Sequence, residues 1–193
     1  MVAAGKLNKL LVERLQQLGV NALGLSGVDG RLLEGRRKSV LKIVENGKRK
    51  VLRGEWSGKI ERVNVSLLTL LLESGYTPVV APLAISYQGE AVNVDGDRAA
   101  AAIGVALGAE ALVILSGVPG LLQDPDDEGT LIPAIEAGQV PEFLERYARG
   151  RMKRKLLGAL EALEGGVGRV ILADGRVKSP IRRALAGEGT VIR

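Results

Sequence analysis

The residues best suited to chemistry fall in a few short segments. Asn93-Val94-Asp95-Gly96-Asp97-Arg98-Ala99-Ala100 sets an amide and two carboxylates between an apolar run and an Ala-rich stretch. Asp95 or Asp97 could simply cap the following helix. The segment holds more polar groups than a cap needs. Ligands bind at the C-terminal ends of strands in open α/β sheets, which makes Asn93 and Asp97 candidate ligand contacts. Ser116-Gly117-Val118-Pro119-Gly120 follows the apolar run 110–115. Its small residues could receive a ligand or form a plain turn. Gly150-Arg151-Met152-Lys153-Arg154-Lys155 opens a predicted helix with bases and no acid. Bases oppose the positive end of a helix dipole, so a bound anion suits them; a solvated basic face reads the same way. Gly24-Leu25-Ser26-Gly27-Val28-Asp29-Gly30 could let backbone amides approach a ligand, but also fits a tight turn.

Composition narrows the chemistry further. The chain has 193 residues with no Cys and no His. Disulfides, thiolate or histidine metal sites, and Ser-His-Asp or Cys-His catalysis are excluded. Lys, Arg, Asp, Glu, hydroxyls and backbone amides remain. They suit phosphoryl transfer, where positioning and charge neutralisation do most of the work. Neither GxxxxGK[ST] nor GxGxxG occurs, so the commoner nucleotide folds lack their fingerprints.

The net charge of +5 is uneven. Residues 31–62 carry eleven Lys/Arg against four Glu. Residues 124–145 carry seven acids and no base, and 146–155 carry six bases and no acid. Two separate basic segments suit an anionic ligand and an acidic partner. Only 3% of residues are aromatic, a poor supply for stacking nucleic-acid bases, so no nucleic acid is expected. No apolar run approaches the roughly 18 residues of a membrane helix. The N-terminus has no signal-peptide pattern, and a cytoplasmic location without membrane contact is expected.

The elements that must hold these segments follow from periodicity. Leu7, Leu10, Leu11, Leu15 and Leu18 predict a helix over 4–18, stopped by Gly19. Strands are predicted at 21–26, 77–81, 110–115, 168–173 and 190–192, and helices at 64–74, 97–107, 151–164 and 179–186. Asn64 or Ser66 would cap the second helix. Residues 31–62 read as strands with one basic face, and Glu45-Asn46-Gly47 as a hairpin turn. Continuous apolar strands alternating with helices predict an α/β fold: a mostly parallel sheet flanked by helices, with a basic β-hairpin appendage. One compact unit, 1–193, is the simplest organisation.

Taken in order, the segments resemble the amino acid kinase family. Gly5-Lys6-Leu7-Asn8-Lys9 matches its GKxNK helix, and residues 24–30 match its next signature. Residues 93–100 resemble the NVNAD-x-AA segment of acetylglutamate kinases. Residues 116–124 resemble a TDVPGVL-type nucleotide segment, and 150–155 resemble GGMxxK. Residues 173–177 and 189–192 resemble the family's C-terminal end. Residues 150–155 and the basic 31–62 region look most like kinases acting on aminoadipate or glutamate attached to an acidic amino-group carrier protein.

The resemblance implies a carbamate-kinase-like fold and a reaction. The γ-phosphoryl of MgATP would pass to a side-chain carboxylate, giving an acyl phosphate in lysine or arginine biosynthesis. It implies catalytic roles for Asp97 and Lys155 and substrate binding by Asn93. It implies nucleotide binding by Ser116, Gly117, Val118, Pro119, Gly120 and Lys153. Carrier contacts would come from Arg36, Arg37, Lys38, Lys48, Arg49 and Lys50. ATP and Mg2+ are the expected cofactors, with no resident metal site, and a homodimer through helix 4–18 is expected. Acetylglutamate kinase is the alternative enzyme, and a non-catalytic nucleotide- or partner-binding module the alternative of another class. Two departures stand out. Position 117 is Gly where many relatives carry Asp or Asn. The family's first strand and Lys-x-Gly-Gly loop have no match in the 193 residues. The expectation is an N-terminally truncated form, with residues 97–193 as the nucleotide-binding part and little turnover of its own.

Overall fold

The computed structural model describes residues 2–38, 40–45, 48–53 and 56–193. The chain forms two compact units, residues 1–102 and 103–193.

In the first unit a π-helical turn, Val2–Leu7, runs into helix α1, Asn8–Gln17. One helix face carries Asn8, Val12 and Leu15 inward, and Leu7, Leu10, Leu11 and Leu18 stay exposed on another. α1 packs on a parallel pair, β1 (Ala22–Ser26) and β6 (Thr77–Ala81). Asn8 ties the layers together: its Nδ2 donates to the carbonyls of Val79 at 2.7 Å and Leu25 at 3.2 Å. β6 is half-buried rather than fully buried.

A second, mixed sheet has the order β5-β2-β7-β8: Gly58–Val63, Leu33–Arg37, Leu83–Ser86 and Ala91–Asn93. Only β2–β7 is parallel there. The short strands β7 and β8 lie beyond the sequence prediction. Strands β3 (Val40–Glu45) and β4 (Lys48–Arg53) form the antiparallel hairpin that the basic segment predicts, with Glu45 opposite Lys48. The predicted turn residues Asn46 and Gly47 lie outside the described residues. Helix α2, Val65–Glu73, is capped by Asn64, whose Oδ1 accepts from the Leu67 amide at 3.2 Å; Ser66 lies inside the helix.

Glu34 on β2 is buried and accepts from Arg31 Nε at 2.7 Å, with Arg62 Nη1 at 3.4 Å. Both arginines are largely exposed, which screens the pairs. Glu34→Ala is expected to destabilise the protein by about 1 kcal/mol, from the lost hydrogen bonds and packing of the buried side chain, since the exposed arginines return to water. Urea unfolding checks this, and a loss below about 0.5 kcal/mol would contradict it.

Helix α3, Gly96–Leu107, begins in the first unit and ends in the second. The second unit holds a four-stranded sheet of order β10-β12-β11-β9: Ala134–Ile135, Thr190–Ile192, Val170–Asp174 and Leu112–Ser116. β9 and β11 are parallel, as are β10 and β12; β11 and β12 are antiparallel. Helices α4 (Val140–Arg146), α5 (Gly150–Glu164) and α6 (Pro180–Leu185) accompany it. β11 is buried along Val170–Ala173, as its unbroken apolar run predicts. α4 arises inside a segment whose acidic character masked it in the sequence. No helix among the described residues is long and apolar enough to cross a membrane.

Candidate active site

β9 and β11 run side by side and end together, with Ser116 opposite Asp174. Both chains turn sharply there. The Gly175 amide donates to the Ser116 carbonyl at 2.7 Å, and Ser116 Oγ donates to the Val118 carbonyl at 3.1 Å. Gly120 meets Thr190 so closely that a Cβ would sit 2.5 Å from Thr190 Oγ1. Gly189 has φ +113°, and a Cβ there would collide with the Leu172 carbonyl. Close packing therefore explains these two glycines. Gly117 faces open space.

A cleft of about 310 Å³ opens beside these strand ends. Pro119, Leu131 and Pro133 line it together with Asp174, Val177, Pro180 and Arg183. Apolar walls with a few charged groups suit a ligand that is flat and apolar at one end and polar at the other. Arg183 pairs with Glu188 at 2.6 Å, and that hydrogen bond holds its guanidinium more firmly in the charged form.

Asp174 ends β11 and accepts from Arg176 three times: from the amide at 2.8 Å, Nε at 2.9 Å and Nη2 at 2.7 Å. The Arg176 side-chain bonds, followed by the amide, hold its carboxyl at about 2, below the usual carboxylate range. A depressed carboxyl favours the folded state above the unfolded pKa of about 4, and that support is lost as pH falls through the folded value. A carbon-13 titration of the Asp174 carboxyl is expected to show a midpoint near 2. A midpoint near 4 would mean that Arg176 does not hold it in solution.

α5 starts at Gly150 with no acid in its first turn and no side-chain cap. The Arg149 side chain turns back instead, donating to the carbonyls of Glu145 at 2.9 Å and Arg146 at 3.2 Å. The helix start is thus basic, as the sequence predicts. Lys153 is exposed and Lys155 half-buried. Leu156, Ala159 and Ala162 are fully buried and fix the helix.

Asn93 and Asp97 lie in the first unit. Asn93 ends β8, with its side chain at an exposed position and its amide donating to the Trp56 carbonyl at 2.6 Å. Asp95 supplies the predicted cap of α3, accepting from the Arg98 amide at 3.1 Å. Asp97 is half-buried in the first turn of the helix. Arg36 is exposed and pairs with Glu61 at 3.2 Å. Arg37 pairs with Glu90 at 3.1 Å and stacks on Trp56, 3.8 Å from the ring centroid. Lys38 follows β2, and Lys48, Arg49 and Lys50 lie on β4.

Of the predicted nucleotide segment, Pro119 lines the cleft, with Ser116 at the strand end beside it. Sequence reasoning missed Leu131, Pro133, Asp174, Arg183 and Glu188 as lining residues. The Asp174-Gly175-Arg176 turn after an apolar strand was the one readable signal.

Paired strand ends, an apolar cleft beside them and a basic helix start define an α/β phosphotransferase architecture. The chain belongs to the amino acid kinase family, whose model matches residues 1–174. It is 57% identical over 195 residues to a [LysW]-aminoadipate kinase of Thermus thermophilus, covering all of this chain and 72% of that protein. It is 60% identical over 192 residues to a [LysW]-aminoadipate kinase of Deinococcus radiodurans, covering all of this chain and 65% of that protein. An acetylglutamate kinase of Moorella thermoacetica is 38% identical, over all of this chain and 66% of that protein. Among solved structures, N-acetylglutamate synthase of Neisseria gonorrhoeae with coenzyme A and N-acetylglutamate superposes with a TM-score of 0.78 at 28% identity, covering 98% of this chain and 42% of that one.

Proposed function

We propose that the chain belongs to an ATP-dependent kinase that phosphorylates the side-chain carboxylate of aminoadipate, or glutamate, held on an acidic amino-group carrier protein. The observation that carries this reading is the 57–60% identity to two [LysW]-aminoadipate kinases, against 38% to the acetylglutamate kinase. The chemistry agrees with the residues at hand. A carboxylate is already a nucleophile and needs no general base, so the absence of His and Cys is no obstacle. The main barrier is repulsion between two anions, and fixed positive charge lowers it.

In this reading the cleft beside Pro119 and Asp174 takes the nucleoside end of ATP, while Lys153 and Lys155 on α5 face its phosphates. The family resemblance assigns Asp97 a catalytic role and Asn93 a role in substrate binding. Among the described residues no group of three or more carboxylates converges as a metal cage. Mg2+ would arrive on the nucleotide's phosphate oxygens, as it commonly does in kinase sites. The basic strands β2 and β4 offer Arg36, Lys38, Lys48, Arg49 and Lys50 to the carrier. Arg37 supports that face through Glu90 and Trp56. The exposed leucines of α1 support a homodimer through that helix.

The test compares acyl-phosphate formation, trapped as hydroxamate, on carrier-bound aminoadipate and on free acetylglutamate. In a turnover-competent preparation, acyl-phosphate formation is expected on the carrier-bound substrate. Preference for free acetylglutamate would replace this reading with an acetylglutamate kinase.

A further inference from the structure

We infer that Arg176 is a positioning residue that clamps the acidic loop 124–130 to the end of β11 and so fixes one wall of the cleft, an inference that rests on reading this cleft as the nucleotide site. One guanidinium spans two carboxylates. Its Nη2 lies 2.8 Å from the Glu128 carboxylate in the loop and 2.7 Å from Asp174 Oδ2. Its Nε adds a bond to Asp174 Oδ1 at 2.9 Å. With Nη2 serving both carboxylates and Nε adding a second bond to Asp174, the planar guanidinium grips both from a fixed geometry, which the flexible ammonium of Lys would hold less firmly.

The loop needs such a tether. Asp124, Asp126, Asp127 and Glu128 bring four acids and no base. Residues 123–129 are all exposed, so no apolar side chain anchors them. The loop is internally ordered: the Asp126 amide donates to Asp124 Oδ1 at 3.0 Å, and the Gly129 amide to Asp127 Oδ1 at 2.8 Å. These bonds are local and exposed, so they open readily once the tether is gone. The stem leads straight into the cleft wall. Leu122 bridges Leu131, and the Ile132 amide donates to the Leu121 carbonyl at 2.9 Å. Leu131, Pro133 and Asp174 all line the cleft. Arg176 thus joins the loop that carries Leu131 and Pro133 to the strand end that carries Asp174.

An ion pair this exposed adds little to global stability. Its loss falls instead on local opening and on ligand affinity. ADP binding by calorimetry and amide hydrogen exchange, run on the 193-residue chain, test this. Arg176→Ala is expected to weaken ADP binding about tenfold and Glu128→Gln about threefold, with the double variant no weaker than Arg176→Ala alone. Exchange at Asp126, Gly129 and Thr130 is expected to rise about tenfold in Arg176→Ala, with Tm within about 2 °C of wild type. Arg176→Lys is expected to restore little of either. Arg193→Ala, which removes a separate exposed pair with Glu136, is expected to change neither. Unchanged loop exchange in Arg176→Ala overturns the clamp, even if ADP binding weakens, since Arg176 would then touch the nucleotide itself. Failure of the wild-type chain to bind ADP overturns the nucleotide reading of the cleft, and the exchange result alone then decides the clamp.

Discussion

Lys155→Met is expected to lower carboxylate phosphorylation about a hundredfold, which corresponds to losing roughly 3 kcal/mol of transition-state stabilisation. The side chain leaves the second turn of α5, a helix pinned by the fully buried Leu156, Ala159 and Ala162. Its backbone origin is therefore fixed. Met keeps the length and the apolar stem of Lys and removes only the ammonium, so packing around the half-buried stem should survive. The loss is expected in kcat, because the cation matters most as charge builds between acceptor and transferred group. ADP affinity should change less than about threefold, since ADP lacks the γ-phosphoryl. Hydroxamate trapping in a turnover-competent preparation measures the first quantity, and calorimetry with ADP the second. Activity within about fivefold of wild type would remove Lys155 from the phosphoryl site.

Thr190→Val is expected to destabilise the protein by about 3 kcal/mol although the two side chains have the same shape. Thr190 is fully buried on β12. Its Oγ1 accepts from the Leu121 amide at 2.8 Å and donates to the Ile132 carbonyl at 2.7 Å. Val would leave that buried amide and carbonyl without this partner, and each orphan costs about 1–3 kcal/mol. For a chain of this size the loss corresponds to a Tm lowered by about 6–12 °C. Thr190→Ser keeps the hydroxyl and should lose only about 1 kcal/mol for the missing methyl. Urea unfolding of the three proteins decides the matter. A Val variant within about 0.5 kcal/mol of wild type would mean that the 121–132 stem finds other partners. The stem carries Leu131 to the cleft, so Thr190→Val should also weaken nucleotide binding.

Much of the framework was legible because it is local. The apolar run 110–115 and the unbroken Val170–Ala173 both became strands, and Asn64 and Asp95 became helix caps through hydrogen bonds three residues long. Neighbours along the chain settle such features, so composition and period suffice. The unopposed bases opening α5 were readable in the same way. Apart from the β3–β4 hairpin, the antiparallel joins were not. β7 and β8 are three or four residues long, too short to display a period, and the direction of β12, whose strand was readable, depends on strands far along the chain.

By itself, then, the sequence determined which chemistry is open to this protein and which segments carry it: a His-free and Cys-free set of bases, carboxylates and glycine turns. The tertiary structure alone decided what surrounds those segments. It brought Pro119 and Asp174 to one cleft, hung Leu121 and Ile132 on Thr190, and set Arg176 between Glu128 and Asp174. Apart from the local bond between Arg176 and Asp174, each of these contacts joins residues dozens of positions apart. Their pairing follows from which strands lie side by side, and no local period or propensity encodes that choice.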